Sequence, residues 1–200
     1  MNPTGGETPL EQQPAKRKRS EAREWLETIL IALAVALVIR GYIAQTYVVD
    51  GDSMVPSLHN GERFLVNKLV YRFRLPKPGE IVVLHDPAAP TKQLVKRVVA
   101  LPGETVQIKH QVLYVNGQPI SENYINKAYP IADFPLTTVP PGTVYVMGDN
   151  RGRSMDSRSI GPILLSKIEG KGVFMLWPLD RFGKGPLDQP RIEDPSLVTK

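Results

Sequence analysis

An uninterrupted apolar run over residues 29–39 constrains this chain of 200 residues more than any other feature. Extended to residues 25–42, the segment would form a helix of about 27 Å at about 1.5 Å per residue. Glu27 and Arg40 lie near its ends, where their charged groups can reach water. The 11 apolar residues alone also fit a cleaved signal peptide or a buried helix. We expect a retained transmembrane anchor over residues 25–45, with these two alternatives left open.

Basic residues are distributed unevenly around the apolar run. Residues 16–19 are all basic and Arg23 follows them, whereas Arg40 alone lies close to the other end. Because cytoplasmic flanks are enriched in Lys and Arg, we expect a cytoplasmic N-terminus, a single span of the plasma membrane and an extracytoplasmic remainder. The net charge of +5 forms no basic stripe interleaved with aromatic residues. Membrane lipids are therefore expected partners, and nucleic acid is not.

The rest of the chain indicates a polar tail followed by a β-rich domain. Residues 1–24 are polar and rich in Gly and Pro at their start, so we expect a disordered cytoplasmic tail. Beyond residue 46, short apolar or alternating runs are separated by turn residues, as is typical of β-strands. We therefore expect a mainly β domain over residues 46–200, with strands at 64–67, 81–84, 94–101, 105–108, 112–115, 144–147 and 173–177.

The pair Asn116-Gly117 is the strongest hairpin signal in the chain, because both residues accept the positive φ of a tight two-residue turn. It lies in a polar, proline-spaced stretch, residues 104–140, which could be a subdomain inserted between two core strands. Pro186, Pro190 and Pro195 predict an irregular C-terminal tail.

Composition narrows the chemistry that the chain can perform. It contains no cysteine, which excludes disulfides, thiolate catalysis and cysteine-bound zinc. His59, His85 and His110 lie in no recognisable motif and lack the spacing of metal ligands, so we expect surface roles for them. No glycine-rich phosphate loop occurs. We expect no metal and no cofactor, and serine and lysine become the candidates for catalysis.

The octapeptide Gly51-Asp52-Ser53-Met54-Val55-Pro56-Ser57-Leu58 carries the first candidate. Glycine permits a turn that other residues resist and proline fixes φ, so Ser53 should lie on a rigid loop. The same pattern is also typical of an ordinary turn, and it leaves a structural role open.

Lys96 is the second candidate, because it interrupts an otherwise apolar strand. Burial disfavours the charged form of lysine and lowers its pKa, and only the neutral amine can remove a proton from serine. The alternative is a surface lysine on an edge strand.

A polar tract over residues 148–158 is the third feature, and it directly follows an apolar strand. Its charged groups could form ion pairs and its hydroxyls could orient a nearby amine: Asp149 and Asp156 with Arg151 or Arg158, and Ser154 or Ser157. A solvated turn is the alternative interpretation.

Together, in this order and after an N-terminal span, the three motifs resemble those of type I signal peptidases, which are membrane-bound Ser/Lys proteases. The similarity covers roughly residues 25–180. Ser53-Met54-x-Pro56-Ser57-Leu58 resembles the nucleophile box, Lys96-Arg97-Val98-Val99-Ala100-Leu101-Pro102-Gly103-Glu104 resembles the lysine box, and residues 148–158 resemble the C-terminal box.

The resemblance implies a partly open barrel of antiparallel strands and a Ser/Lys dyad. Ser53 would be the nucleophile, Lys96 the general base and Ser154 the hydroxyl that orients the lysine amine. The site would be supported by Asp149, Asp156 and Arg158.

Two positions depart from the family pattern. Gly51 stands where some members place a serine that helps to bind the oxyanion, so the backbone N–H of Ser53 would matter more here. Gly152-Arg153 replaces a common Asp-Asn pair that has no assigned chemistry. Neither departure affects the dyad.

The resemblance also implies the substrate and the partners. Preprotein signal peptides would be cut after small residues while lying extended in a pocket lined by Tyr47, Val49, Asp50, Met54 and Val95. Transient contact with the secretion machinery would accompany this activity.

Two other functions remain open. A self-cleaving SOS repressor uses a related dyad and β-fold, but it needs a DNA-binding helix-turn-helix where this chain has its apolar run. A membrane-anchored β-barrel binding module without catalysis would use the same motifs as turns.

Overall fold

The structure is a computed structural model that describes residues 21–125, 129–183 and 191–193. The chain divides into two compact units, Met1–Val38 and Ile39–Lys200. In the first unit, helix α1 (Glu21–Val38) has acidic residues in its first turn, where they complement the helix dipole. None of its side chains is buried. The predicted tail lies outside the described residues apart from residues 21–24, which are helical rather than disordered.

A π-helical turn, Ile39–Ile43, follows at the start of the second unit. In the part of the chain that the structure describes, Glu21–Ile43 is the helical segment long and apolar enough to cross a membrane by length and composition. It begins four residues before the expected anchor, and it ends before residue 45 because Ala44 already pairs with Asn67 in a sheet.

The second unit is mainly β, as expected. Its strands, in chain order, are β1 (Ala44–Val48), β2 (Arg63–Asn67), β3 (Ile81–His85), β4 (Gln93–Ala100), β5 (Thr105–Lys109), β6 (Val112–Val115), β7 (Gln118–Ser121), β8 (Phe134–Thr138), β9 (Thr143–Met147), β10 (Ile163–Leu164), β11 (Ile168–Trp177) and β12 (Ile192–Glu193). Two short helices accompany them, α2 (Val70–Phe73) after β2 and α3 (Ser157–Ile160) after β9.

The strands form two antiparallel sheets. One has seven strands in the order β1-β2-β11-β3-β4-β9-β10, and the other has five in the order β12-β7-β6-β5-β8. Neither sheet closes on itself among the described residues, which agrees with the expected partly open barrel. The smaller sheet draws four of its strands from the stretch between β4 and β9.

All seven predicted strands are present, and the Asn116-Gly117 turn is confirmed. Both turn residues have positive φ, 52° and 76°, and Val115 pairs with Gln118. The prediction was wrong for Ile192–Glu193, which pair with β7 instead of forming an irregular tail. Apart from Arg191, the remainder of that tail after Gly183 lies outside the described residues.

A hydrophobic cluster under the larger sheet fixes the loop between β1 and β2. Met54 and Leu58, from the octapeptide, are fully buried against side chains of β1, β2, β3 and β11: Tyr47, Phe64, Val66, Ile81, Val83 and Met175. The loop is therefore part of the core rather than a mobile connection.

Candidate active site

Ser53 lies on this buried loop. Gly51 adopts a φ of +84°, a conformation that favours glycine, and its N–H donates to Asn60 Oδ1 at 2.9 Å. The N–H of Leu58 donates to the carbonyl of Met54 at 2.9 Å, which closes the turn. The backbone around Ser53 is thus held on both sides, and its side chain is left half-buried.

Lys96 meets Ser53 from strand β4. Its Nζ atom donates to Ser53 Oγ at 2.8 Å and to the carbonyl of Val95 at 2.9 Å. The lysine is only 3% exposed. Burial lowers its pKa to about 8, although the carboxylates of Asp156 and Asp149 oppose this fall. The two residues singled out from the sequence are therefore in contact, and the alternative of a surface lysine is wrong.

Asp156 and Arg158 form one brace of the site. Their side chains pair at 2.8 Å, and Asp156 Oδ2 accepts the backbone N–H of Gly148 at 3.0 Å. Burial raises the pKa of Asp156, but the hydrogen bond and charge of Arg158 outweigh it and hold the pKa below its usual range. Arg158 also donates to the carbonyl of Arg151 at 2.6 Å. The polar tract is a fixed network and not a solvated turn.

Asp149 forms a second brace, with a partner that sequence reasoning missed. It accepts two hydrogen bonds from Arg97, Nε to Oδ1 at 2.8 Å and Nη2 to Oδ2 at 2.6 Å, and both side chains are fully buried. The expected pairing of Asp149 with Arg151 or Arg158 is wrong. Arg151 instead pairs with Glu122, on the loop that follows β7. Register in the sheet explains this, because Arg97 lies opposite Met147 on the neighbouring strand.

Gly148 and Asn150 hold the main chain of Ser53, and the sequence analysis gave neither a role. A Cβ atom on Gly148 would lie 2.5 Å from the carbonyl oxygen of Ser53 and 2.3 Å from Ser154 Oγ, so only glycine fits. The N–H of Asn150 donates to the Ser53 carbonyl at 3.0 Å, and its side-chain amide donates to the Asp52 carbonyl at 3.1 Å. The position of Gly148 directly after an apolar strand is the sequence signal that could have indicated this close contact.

Ser154 lies beside this contact, but no hydrogen bond joins it to Lys96. Its Oγ atom is buried without a well-formed hydrogen bond in the described structure, and it lies near enough to Asp156 to help lower the pKa of that carboxyl. Ser157 has a different role, because its Oγ accepts the N–H of Val146 at 3.0 Å. The orienting role of Ser154 stays a prediction.

A groove of about 520 Å³ runs along the dyad. Its walls come from β1 with the octapeptide loop and from the first half of β4. The five residues expected in the pocket all line it: Tyr47, Val49, Asp50, Met54 and Val95. No histidine lines it in the described structure. His59 instead lies against Arg181, with Nδ1 3.0 Å from the guanidinium.

A serine hydroxyl hydrogen-bonded to a desolvated lysine, in a groove along strand edges, is an arrangement that can perform acyl transfer with serine as the nucleophile and lysine as the base. Residues 22–177 match the family described as signal peptidase, peptidase S26. The chain belongs to this family, which confirms the resemblance read from the sequence.

Two relatives agree with this assignment. A signal peptidase I of Bacillus licheniformis is 38% identical over 88% of this chain and 99% of its own. Signal peptidase I T of Bacillus subtilis (strain 168) is 40% identical over 84% of this chain and 92% of its own. A crystal structure of a signal peptidase I from Enterococcus faecalis V583 is 33% identical, with a TM-score of 0.44, over 49% of this chain and 97% of that one.

Proposed function

We propose that this protein is a membrane-anchored serine endopeptidase that removes N-terminal signal peptides from secreted preproteins by a Ser53/Lys96 dyad. The observation that carries the proposal is the 2.8 Å contact between Ser53 Oγ and the buried amine of Lys96, inside a groove that can hold an extended peptide. Membership of the signal peptidase family supports the substrate class.

The low pKa makes Lys96 useful as a base at neutral pH. At pH 7.5 a lysine with a pKa of about 8 is about one quarter neutral, whereas an ordinary lysine is neutral in about one molecule in a thousand. A neutral amine next to Ser53 Oγ can accept the hydroxyl proton as the oxygen attacks a carbonyl carbon.

The reaction then proceeds by acyl transfer. Attack gives a tetrahedral intermediate whose oxyanion accepts a hydrogen bond from the backbone N–H of Ser53, with no hydroxyl help from Gly51. The Lys96 ammonium returns its proton to the leaving amine, which is the new N-terminus of the mature protein. Lys96 next deprotonates a water molecule that attacks the acyl-enzyme, and the signal peptide leaves with a carboxylate while Ser53 regains its proton.

The substrate would bind as an additional strand. Among the described residues, β1 has a free outer edge, and β4 pairs with β9 only from Arg97 onward, so the edge of residues 93–96 is also free. Free strand edges bind extended peptides through main-chain hydrogen bonds. The side chains of Tyr47, Val49 and Met54 are almost completely buried in the core. The pockets between them are therefore shallow and suit small side chains.

The helical segment Glu21–Ile43 would tether the enzyme to the plasma membrane with its N-terminus in the cytoplasm and its peptidase domain outside. Residues 46–200 would form that domain, with residues 104–140 as an inserted subdomain. Confinement of enzyme and preprotein to one bilayer raises their effective concentration, so weak intrinsic affinity suffices. Membrane lipids and, transiently, the secretion machinery would be its other partners.

The test is cleavage of a preprotein by the purified full chain in detergent, followed by sequencing of the mature N-terminus. We expect a cut after a small residue, and we expect Ser53→Ala and Lys96→Ala to lose it with their circular dichroism unchanged. Ser166→Ala and Lys109→Ala, which are exposed and outside the groove, are the matched controls. Full activity of either dyad variant would refute the mechanism.

A further inference from the structure

The two walls of the groove belong to β1 and β4, which do not pair with each other in the described structure. The sheet joins them only through three intervening strands, β2, β11 and β3, so a side chain that contacts both walls is an additional restraint on the distance between them. Glu169, on β11, is a partly buried carboxylate that reaches both walls near the end of the groove away from Ser53.

On the β4 side, Glu169 accepts a hydrogen bond from Gln93. The distance from Gln93 Nε2 to Glu169 Oε2 is 3.1 Å, and Gln93 lines the groove. His85, which pairs with Gln93 across β3 and β4, places its Nε2 atom 3.8 Å from the same carboxylate oxygen. The start of β4 therefore contacts Glu169 directly through Gln93, and the imidazole ring of His85 lies close to the same carboxylate.

On the β1 side, the connection runs through Lys68 and Tyr47. Lys68 Nζ pairs with Glu169 Oε1 at 3.1 Å and donates to Gln45 Oε1 on β1 at 3.3 Å. The hydroxyl of Tyr47 is buried without a well-formed hydrogen bond among the described residues. Burial and the adjacent Glu169 carboxylate both raise the pKa of Tyr47, so this hydroxyl stays protonated beside the carboxylate. One carboxylate therefore bridges the two strand edges.

The position of this bridge along the groove identifies the part of the substrate that it affects. Gln93 precedes Lys96 by three residues, which is about 10 Å along an extended strand. A substrate strand bound beside β4 has the same rise per residue, so the bridge lies opposite the third residue from the cleaved bond. Under the function proposed above, this residue is the third one before the cut.

We propose that Glu169 is a positioning residue that holds the β1 and β4 walls of the groove together and thereby limits the size of the substrate side chain three residues before the cut. This inference rests on the proposed function. Loss of the carboxylate would leave Lys68, Gln93 and Tyr47 without their shared partner, and the two walls could separate at this end. The dyad lies at the other end, so its chemistry would be little affected.

Kinetics with a peptide series test this role. The peptides span a cleavage site and carry Ala, Val, Leu or Phe three residues before the cut. For Glu169→Ala we expect KM for the Ala peptide to rise about tenfold while kcat stays within about twofold, and discrimination between Ala and Leu in kcat/KM to fall about tenfold. Glu169→Gln keeps the shape and one acceptor, so its effects should be smaller in the same direction.

Glu80→Gln is the matched control. Glu80 is also a buried carboxylate, and it pairs with Lys171, two residues further along β11, and with Arg74, but neither of these partners lines the groove. Its replacement should lower Tm without changing KM or the discrimination between Ala and Leu.

Unchanged KM and unchanged discrimination in Glu169→Ala would overturn the proposal, and so would equal changes in Glu80→Gln. If Glu169→Ala does not fold, the same two outcomes are read from Glu169→Gln. The proposed function fails separately, if the wild type shows no Ser53-dependent cleavage of any peptide.

Discussion

Replacing Lys96 by methionine should abolish activity and yet stabilise the protein at neutral pH. Burial lowers the pKa of Lys96 from 10.5 to about 8, against the opposing carboxylates of Asp156 and Asp149. The folded state therefore binds fewer protons than the unfolded chain. The resulting cost in folding free energy is fully present below pH 8 and disappears above pH 10.5. At about 1.4 kcal/mol per pH unit, this cost is about 3 kcal/mol at pH 7 and about 1 kcal/mol at pH 10.

Methionine has a similar length and no charge, but it loses the hydrogen bonds to Ser53 Oγ and the Val95 carbonyl. Two such bonds contribute about 2 kcal/mol at any pH. The free energy of unfolding of Lys96→Met, minus that of the wild type, should therefore be about +1 kcal/mol at pH 7 and about −1 kcal/mol at pH 10.

Urea titration of the purified protein in mild detergent at both pH values measures this difference. The control is Lys109→Met, because Lys109 is exposed on β5 and should give the same difference at both pH values. A Lys96→Met difference that does not change with pH would mean that the lysine keeps its ordinary pKa when folded. That result would refute the argument that burial lowers the pKa of Lys96 and so allows it to act as a base.

Two further predictions concern catalysis. Below pH 8, kcat/KM should fall about tenfold per pH unit, because only the neutral Lys96 amine is a base. A pH–rate profile with its limb near 6.5 would instead indicate histidine. Gly148→Ala should lower kcat about 100-fold, because the new Cβ would lie 2.5 Å from the Ser53 carbonyl and displace the nucleophile. Gly41→Ala, which has open space and no positive φ, is its control, and wild-type kcat in Gly148→Ala would contradict the packing argument.

Strand positions could be predicted where apolar alternation ended at turn residues, and some were missed where proline or glycine interrupted the pattern. Strands β7 and β8 contain Pro119 and Pro135, and β8 tolerates its proline at the edge of its sheet. Strand β11 begins five residues before its predicted start because Gly170 lies against Asn67, where a Cβ would be 2.5 Å from a carbonyl oxygen. Whether a strand tolerates a proline or requires a glycine depends on the neighbouring strand, and the sequence alone does not identify that neighbour.

The contact between Ser53 and Lys96 was predictable because each lies in a motif, and so was the pairing of Asp156 with Arg158, whereas two other ion pairs of the site were not. Asp149 and Arg97 are 52 residues apart, and Glu122 and Arg151 are 29 apart. Sequence proximity favoured Arg151 or Arg158 as the partner of Asp149, but sheet register brings Arg97 there instead. The choice among several oppositely charged residues depends on tertiary structure, so spacing within a motif cannot make it.

The adjacency of Lys96 and Arg97 explains how one strand both supplies the proposed base and supports the proposed nucleophile. Successive side chains of a strand point to opposite faces, so Lys96 reaches Ser53 while Arg97 enters the interior behind it. There the guanidinium donates to Asp149 of the polar tract, to Ser57 of the octapeptide at 3.1 Å and to the Gly79 carbonyl at 2.7 Å. It also lies 4.3 Å from the ring of Tyr124. Since an ammonium group lacks the planar fork that serves these partners together, arginine at this position joins all three sequence motifs into one rigid site.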